Sequence, residues 1–586
     1  MSVFPLSIFF FTIVSFIKHS FVYSIYSESK QYFEITRPLP FAHLDPSCTY
    51  HILTHEFSNT MGLSPVSASY SPPANCCWTH VALQFNASSY KGGQYEGSTA
   101  AVWLGGVELL RTSTVDEPGI FWTVNKDVTR YSSILVDQNI SLSVILENQV
   151  NYGVYQVNIS FMYYYVKKMD VSSDTKWKLQ LKSDMFANEN LRSEYEKPAD
   201  LVKPISRNGS GGGFWFRILN ESELHGQRVV IPKNTYKVVI EIYVSAHGYD
   251  EFWYTNPPDA YIQTNNLTTK RGHGAYREVL VNIDDNLVGS VVPFPVIYPG
   301  GIDPLYWEPL VSIGAFDHPS YEIDLTPYLG ILLDGQPHFI GLGVNDSIPF
   351  WLVDANLHLW VDNNCALPCQ VQAKPPDLGK SKFKFERSSS FVGLDGSFKV
   401  EVKRKSEITF WVNSTAGSLT STIKRELKFK NKIKFHQNGT EKKIKQKVKE
   451  EIEVEVSSGS GSTISKTKVK RKFPLTITSR TLASRENDTT LLLSDLDHEW
   501  EEKKKVKGEV DLSSKLTNRQ QCNGWMVVQD RNVLHAGATT EQTYSYSDDA
   551  DSYSRTILAD NGKLMSDTAN SLYGAAPSKS GSYSAL

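Results

Sequence analysis

Beyond residue 20 the sequence has no uninterrupted apolar run of the roughly 18 residues that span a bilayer, which excludes a multi-span membrane protein. It has no excess of one charge either. Sixty Lys and Arg stand against 63 Asp and Glu, for a net charge of −3, and 40% of residues are hydrophobic. That balance excludes a disordered polyelectrolyte or a nucleic-acid-binding chain and leaves a globular protein. Several catalytic signatures are missing: there is no G-x-S-x-G elbow, no H-E-x-x-H and no EF-hand loop. The glycine run Asn208-Gly209-Ser210-Gly211-Gly212-Gly213 lacks the Lys-Ser/Thr of a phosphate loop, so it reads as a flexible lead into a strand.

What is present is 586 residues, enough for two large all-β domains and an appendage. Aromatic residues make up 12%, which favours β structure over helix bundles. Residues Phe4 to Ile17 have the length of a signal-peptide core, with Val22 and Ser24 small enough for a cleavage site, so residues 1–24 are read as a leader into the secretory pathway. Asn-x-Ser/Thr sequons begin at Asn86, Asn139, Asn158, Asn208, Asn220, Asn266, Asn345, Asn413, Asn438 and Asn487, in keeping with a lumenal glycoprotein. The six cysteines are Cys48, Cys76, Cys77, Cys365, Cys369 and Cys522. In an oxidising lumen they favour disulfides, most simply Cys48 to Cys76 or Cys77, and Cys365 to Cys369. A zinc site would need a second Cys pair or nearby His at the usual spacing, so no metal is expected.

Most of the chain alternates with period two, the pattern of half-buried strands. Ile140, Leu142, Val144 and Leu146 form one apolar face and Tyr155, Val157, Ile159, Phe161 and Tyr163 another, and the pattern predicts a hairpin between them. Val102 and Leu104, Gly105-Gly106, then Val107 and Leu109 predict a second, tighter hairpin. The fold class is thus all-β, with antiparallel β-sandwiches over 25–166 and 206–365 and a linker over 167–205. A Lys/Glu-rich β region over 366–560 and a loose tail over 561–586 follow. In the charged region Ile444, Val448, Ile452, Val454 and Val456 oppose interleaved Lys and Glu, which describes a solvated sheet face rather than a polyanion site.

The segment His247-Gly248-Tyr249-Asp250-Glu251-Phe252-Trp253-Tyr254-Thr255-Asn256-Pro257-Pro258 follows a strand and ends in two prolines, which places it in a loop. Carboxylates beside aromatic rings can be desolvated into general acids, and the rings suit sugars. At this segment the chain resembles the plant peptide-N4-(N-acetyl-β-glucosaminyl)asparagine amidase A family, the acid peptide:N-glycanases. The likeness runs from Phe33-Glu34-Ile35-Thr36-Arg37-Pro38 through Ala100-Ala101-Val102-Trp103-Leu104-Gly105-Gly106-Val107-Glu108-Leu109-Leu110-Arg111-Thr112-Ser113-Thr114 and Lys126-Asp127-Val128-Thr129-Arg130-Tyr131. It continues in the segment above, in Tyr298-Pro299-Gly300-Gly301-Ile302, and in Phe316-Asp317 with Pro319-Ser320-Tyr321.

The resemblance implies hydrolysis of the amide between Asn and the innermost GlcNAc of an N-glycan on a glycopeptide or glycoprotein, at acidic pH and without a cofactor. It implies a fold of two jelly rolls with the site at their junction, and a secreted, apoplastic or vacuolar destination. It leaves open processing into two associated chains. Carried over by position, Glu96, Glu147 and Glu251 are the catalytic candidates. Glu96 would act as base, and Glu147 and Glu251 would orient or protonate the leaving group. Trp253 and Tyr254 would offer a sugar platform, with His247 and Asp250 as its polar rim. Two positions depart from the family pattern: Glu96-Gly97 stands where Asp-Arg is expected, and Trp307-Glu308-Pro309 where Trp-Arg-Pro is expected. These departures supply the rival reading, a lectin-like protein that grips the glycan stem with impaired turnover.

Overall fold

The alternating patterns become strands in four shorter sheets and one long one. The computed structural model describes residues 30–90, 98–148, 153–166, 197–364, 370–483, 488–508, 511–529, 532–549 and 551–572. The leader and the expectations placed on Glu96, Cys365, Cys369 and Asn487 lie outside these residues.

Two sheets close the first sandwich. One has the order Lys30–Tyr32, Ile120–Asp127, His80–Ser89, Tyr155–Tyr164 and Cys48–Phe57; the other runs Val66–Tyr70, Ile140–Leu146, Thr99–Leu104 and Val107–Ser113. Their inward rows, among them Phe85, Ile159 and Phe161 against Val102, Leu142 and Val144, share one core. A disulfide joins Cys48 to Cys76, and Cys77 is a free, exposed thiol. The glycine hairpin forms as expected, with Leu104 paired to Val107 and both Gly105 and Gly106 at positive φ. The other predicted hairpin does not form. Ile140–Leu146 pairs with Thr99–Leu104, whereas Tyr155–Tyr164 pairs with Cys48–Phe57 and His80–Ser89 in the opposite sheet. The two apolar rows meet across the core instead of lying side by side.

The second sandwich stacks Leu201–Ile205, Trp351–Val361, Thr235–Ala246 and Ser320–Asp324 against His225–Val229, His338–Asn345, Glu278–Ile283 and Asn286–Val291. Its first strand occupies the end of the stretch read as a linker. The sandwiches meet through the sheet that holds Thr99–Leu104 and Val107–Ser113, which explains why those strands are buried on both faces. Ala101, Trp103 and Ile145 from the first form a small core with Trp215 and Leu352 from the second. Trp103 donates to Asp354 at 2.7 Å, and Arg111 holds Glu108 bidentately while donating to the Leu352 carbonyl at 2.7 Å. The glycine run is a close-approach point here. Gly213 has φ +76°, and a Cβ on it would meet Trp103 at 2.5 Å.

From Gln372 to Leu572 the described chain forms one twelve-stranded sheet, most of it consecutive antiparallel hairpins with strands of up to 21 residues. Its inner face carries Val402, Phe429, Ile433, Ile444, Val448, Phe473 and Leu475, which join the core of the second sandwich. Its outer face is a ladder of cross-strand ion pairs, such as Lys470–Glu451 at 2.9 Å and Lys472–Glu501 at 2.8 Å. The strand Lys563–Leu572 belongs to this sheet, so the tail expected from residue 561 is paired through Leu572. None of the described helices is long and apolar enough to cross a membrane.

Candidate active site

Glu147 follows directly on the strand Ile140–Leu146, and its amide donates to the Thr99 carbonyl at 3.1 Å. Ser98, the first described residue after the segment containing Glu96, is fixed by two bonds to Thr114, at 2.8 and 2.9 Å. The described chain from Ser98 onward therefore runs beside Glu147, which bonds it at Thr99. Glu147 is 6% exposed and pairs with Arg217 of the second sandwich at 3.0 and 3.2 Å. Burial raises its pKa, and the Arg217 guanidinium opposes that rise.

From Arg217 a continuous stack of flat groups crosses the junction. The guanidinium lies 4.1 Å over the Phe350 ring, Phe350 stacks on His247 at 5.2 Å, His247 on Tyr298 at 5.4 Å, and Tyr298 on His318 at 5.7 Å. His318 shares a 2.8 Å hydrogen bond with Ser113, the neighbour of Thr114. The stack thus begins at the counter-ion of Glu147 and ends next to the Thr114–Ser98 pair. Backbone pairing fixes the middle: the His247 amide donates to the Phe350 carbonyl at 2.9 Å, and Phe350 donates back at 3.1 Å. His247 bonds Ser245 at 2.8 Å, and Ser245 also accepts from Arg111 at 3.2 Å.

Glu251 reaches the same stack electrostatically, since its charge acts on Tyr298, Tyr254 and Arg271. It is partly exposed, unlike the residues beside it. A turn of 3₁₀ helix over Gly248–Asp250 ends on the first of the two neighbouring acids and has Glu251 as its C-cap. Asp250 points inward to a bidentate pair with Arg277 at 2.6 and 2.7 Å and accepts from Trp351 at 2.7 Å, with no exposed surface. It braces the loop and does not line a rim. Trp253 and Tyr254 are likewise 2% and 0% exposed, so the indole packs into the core and offers no open sugar platform. The flat surfaces at the junction are instead His247, Tyr298 and Phe350, all partly exposed.

Both imidazoles are biased toward their neutral forms. Burial, then the Arg111 and Arg217 charges, brings His247 down to about 3, and burial with Arg111 and His247 lowers His318 as well. His247 is therefore a neutral hydrogen-bonding group at pH 5, and the Glu147 carboxyl is biased toward keeping its proton. Arg217, Tyr298, His318 and Phe350 were not among the sequence candidates. Tyr298 stood in a motif that carried the resemblance, whereas Arg217 and Phe350 gave no local signal. Among the described residues, no group of three or more His, Cys, Asp or Glu is gathered as a metal site.

The family model for peptide N-acetyl-β-D-glucosaminyl asparaginase amidase A matches residues 37–372, and the chain belongs to that family. A relative from Prunus dulcis, peptide-N4-(N-acetyl-beta-glucosaminyl)asparagine amidase A, is 36% identical over 549 residues, covering 92% of each chain. Among solved structures, recombinant peptide: N-glycanase F is similar at 11% identity and TM-score 0.31, over 54% of this chain and 95% of that one. PNGF-II in a C2 crystal form is similar at 12% identity and TM-score 0.35, over 54% and 66%. These two likenesses supply no residue correspondence.

Proposed function

We infer that this chain hydrolyses the amide bond between asparagine and the innermost GlcNAc of N-glycans, leaving aspartate on the peptide and releasing a 1-amino-glycan. The observation that supports the site assignment is the convergence just described: Glu147, Glu251 and the chain from Ser98 onward all border one stack of flat groups at the junction of the sandwiches. The reaction needs an activated water, a proton for the departing nitrogen and donors for the amide oxygen. Glu147 is suited to hold the proton, because burial favours its neutral form. Glu251, partly exposed and near the Arg271 charge, is suited to orient water or the sugar amide. His247, Tyr298 and Phe350 present rings to the core sugars, and Glu96 is the remaining candidate base. The leader, the sequons and the Cys48–Cys76 bond support passage through the secretory pathway to the cell exterior or a vacuole. None of the nine described sequon asparagines is buried.

The test is mass spectrometry of a defined glycopeptide incubated with the purified protein near pH 5, beside Glu251→Gln and Glu147→Gln. Free glycan with Asn converted to Asp, reduced about a hundredfold or more in each variant, is the expected result. Turnover equal to wild type in both variants would move the site elsewhere. Intact glycopeptide retained by a folded wild-type chain would establish a binding module in place of an amidase.

A further inference from the structure

The loop that carries Glu251 has two walls, and the second is supplied by the charged C-terminal third. On the inside, Asp250, Arg277 and Trp351 hold the loop to the second sandwich. On the outside it meets two adjacent strands of the long sheet, Gly417–His436 and Glu441–Ser458. In the run Lys428-Phe429-Lys430-Asn431-Lys432-Ile433-Lys434-Phe435 the inward positions alternate with lysine and are apolar except for one. Asn431 stands in the inward register and is 1% exposed. A buried amide in an apolar row is unfavourable unless it is partnered.

Asn431 has its partners. Its Nδ2 donates to the Tyr254 carbonyl at 2.9 Å and to Gln446 Oε1 of the paired strand at 2.9 Å. Two residues away, Phe429 packs against Trp253 at 6.4 Å and Tyr276 at 4.9 Å. The neighbouring strand also brings Lys442 to the back of the loop. It is 9% exposed beside Arg271, whose guanidinium lies 5.2 Å from the Phe252 ring and feels the charge of Glu251. The sheet thus bonds the backbone three residues beyond Glu251 and packs Phe429 on the Trp253 side chain next to that bond. Elsewhere it reaches the sandwiches through contacts that involve no residue of this loop, such as Gln520 donating to the Val311 carbonyl at 3.3 Å.

We propose that Asn431 is a positioning residue for the amidase reaction, and that the C-terminal sheet is the outer wall of the active site, holding the Glu251 loop in its working position through the Asn431–Tyr254 bond. The proposal rests on the reading of Glu251 as a site acid. A displacement of about 1 Å at a catalytic group lowers turnover by about a hundredfold, so loss of this bond acts on rate without touching substrate.

The experiment compares Asn431→Leu, which has the same branching and number of side-chain heavy atoms, with Gln520→Leu, which removes a buried sheet-to-sandwich bond outside the loop. Steady-state kinetics on a glycopeptide and hydrogen–deuterium exchange of the 248–258 peptide are both recorded, with the melting temperature of each protein. Expected are a kcat lowered about tenfold or more in Asn431→Leu with KM within about threefold, faster exchange confined to the loop, and partial recovery in Asn431→Gln. Gln520→Leu is expected to keep kcat within about twofold even where its melting temperature falls as far. Asn431→Leu with wild-type kcat and wild-type loop exchange overturns the proposal, as does an equal loss of kcat in Gln520→Leu. If the wild-type chain cleaves no glycopeptide, the functional reading fails, and the exchange data still decide whether Asn431 holds the loop.

Discussion

At the scale of single residues, the chemistry of the site follows from which charges are left alone and which are matched. Glu147 sits between burial, which favours its neutral form, and Arg217, which favours the carboxylate. Replacing Arg217 with methionine removes the opposing charge, so the Glu147 carboxyl is expected to titrate at higher pH than in wild type. Carbon-13 NMR of glutamate-labelled protein reads this directly, and an unmoved midpoint would mean that Arg217 is not its counter-charge. Neighbouring Asp250 and Glu251 show how far residue identity alone could be read. Both were legible as acids in an aromatic loop, but only the fold separates them. Arg277 and Trp351, 27 and 101 positions away, draw one inward and leave the other partly exposed. The same long-range packing buries Trp253 and Tyr254, whose local sequence looked like an open platform.

At the scale of elements, period-two alternation located the strands well and assigned them to sheets poorly. A strand's pattern reports that one face is apolar and says nothing about which neighbour it pairs with, so Ile140–Leu146 and Tyr155–Tyr164 read as a hairpin while lying in facing sheets. The Gly105-Gly106 turn was legible because its backbone demand is local. The Gly213 position was not, because what restricts it is the Trp103 ring, 110 residues earlier in the chain, and the run read only as flexible. Gly213→Ala places a methyl group against that ring at positive φ and is expected to destabilise the protein by about 3 kcal/mol, checked by urea denaturation. A loss under about 0.5 kcal/mol would show that the junction yields there.

At the scale of the whole molecule, the seam between the sandwiches and the long sheet contains buried carboxyls. Asp303, fully buried, is pushed up to about 7 by burial, with one oxygen accepting from Leu305 and the other beside Gly524 of the sheet. Glu308, at one of the positions that departs from the family pattern, is raised by burial and by Glu117, against the weaker pull of Lys30. For Asp303 the folded pKa lies above the ordinary 3.8, so its stabilising contribution is complete below about pH 4 and is lost as pH rises through about 7. His247 and His498, lowered to about 3, act in the opposite sense as pH falls below 6.5. The Asp303 part is isolated by comparing urea midpoints of wild type and Asp303→Asn. The wild type is expected to lose stability relative to the variant between pH 4 and pH 7, by an amount on the order of a few kcal/mol. Parallel curves would show that Asp303 is ionised throughout.

The seam also sets an order of events during synthesis. Asn431 lies 177 positions beyond Tyr254, so at about 5–20 residues per second the ribosome takes roughly ten to thirty seconds to deliver the loop's outer wall after the loop itself has emerged. The sandwiches can fold in that interval, but the Glu251 loop waits with one side open. Activity then becomes a property of the finished translation product, and a chain released early carries the acids without the wall that sets them in place.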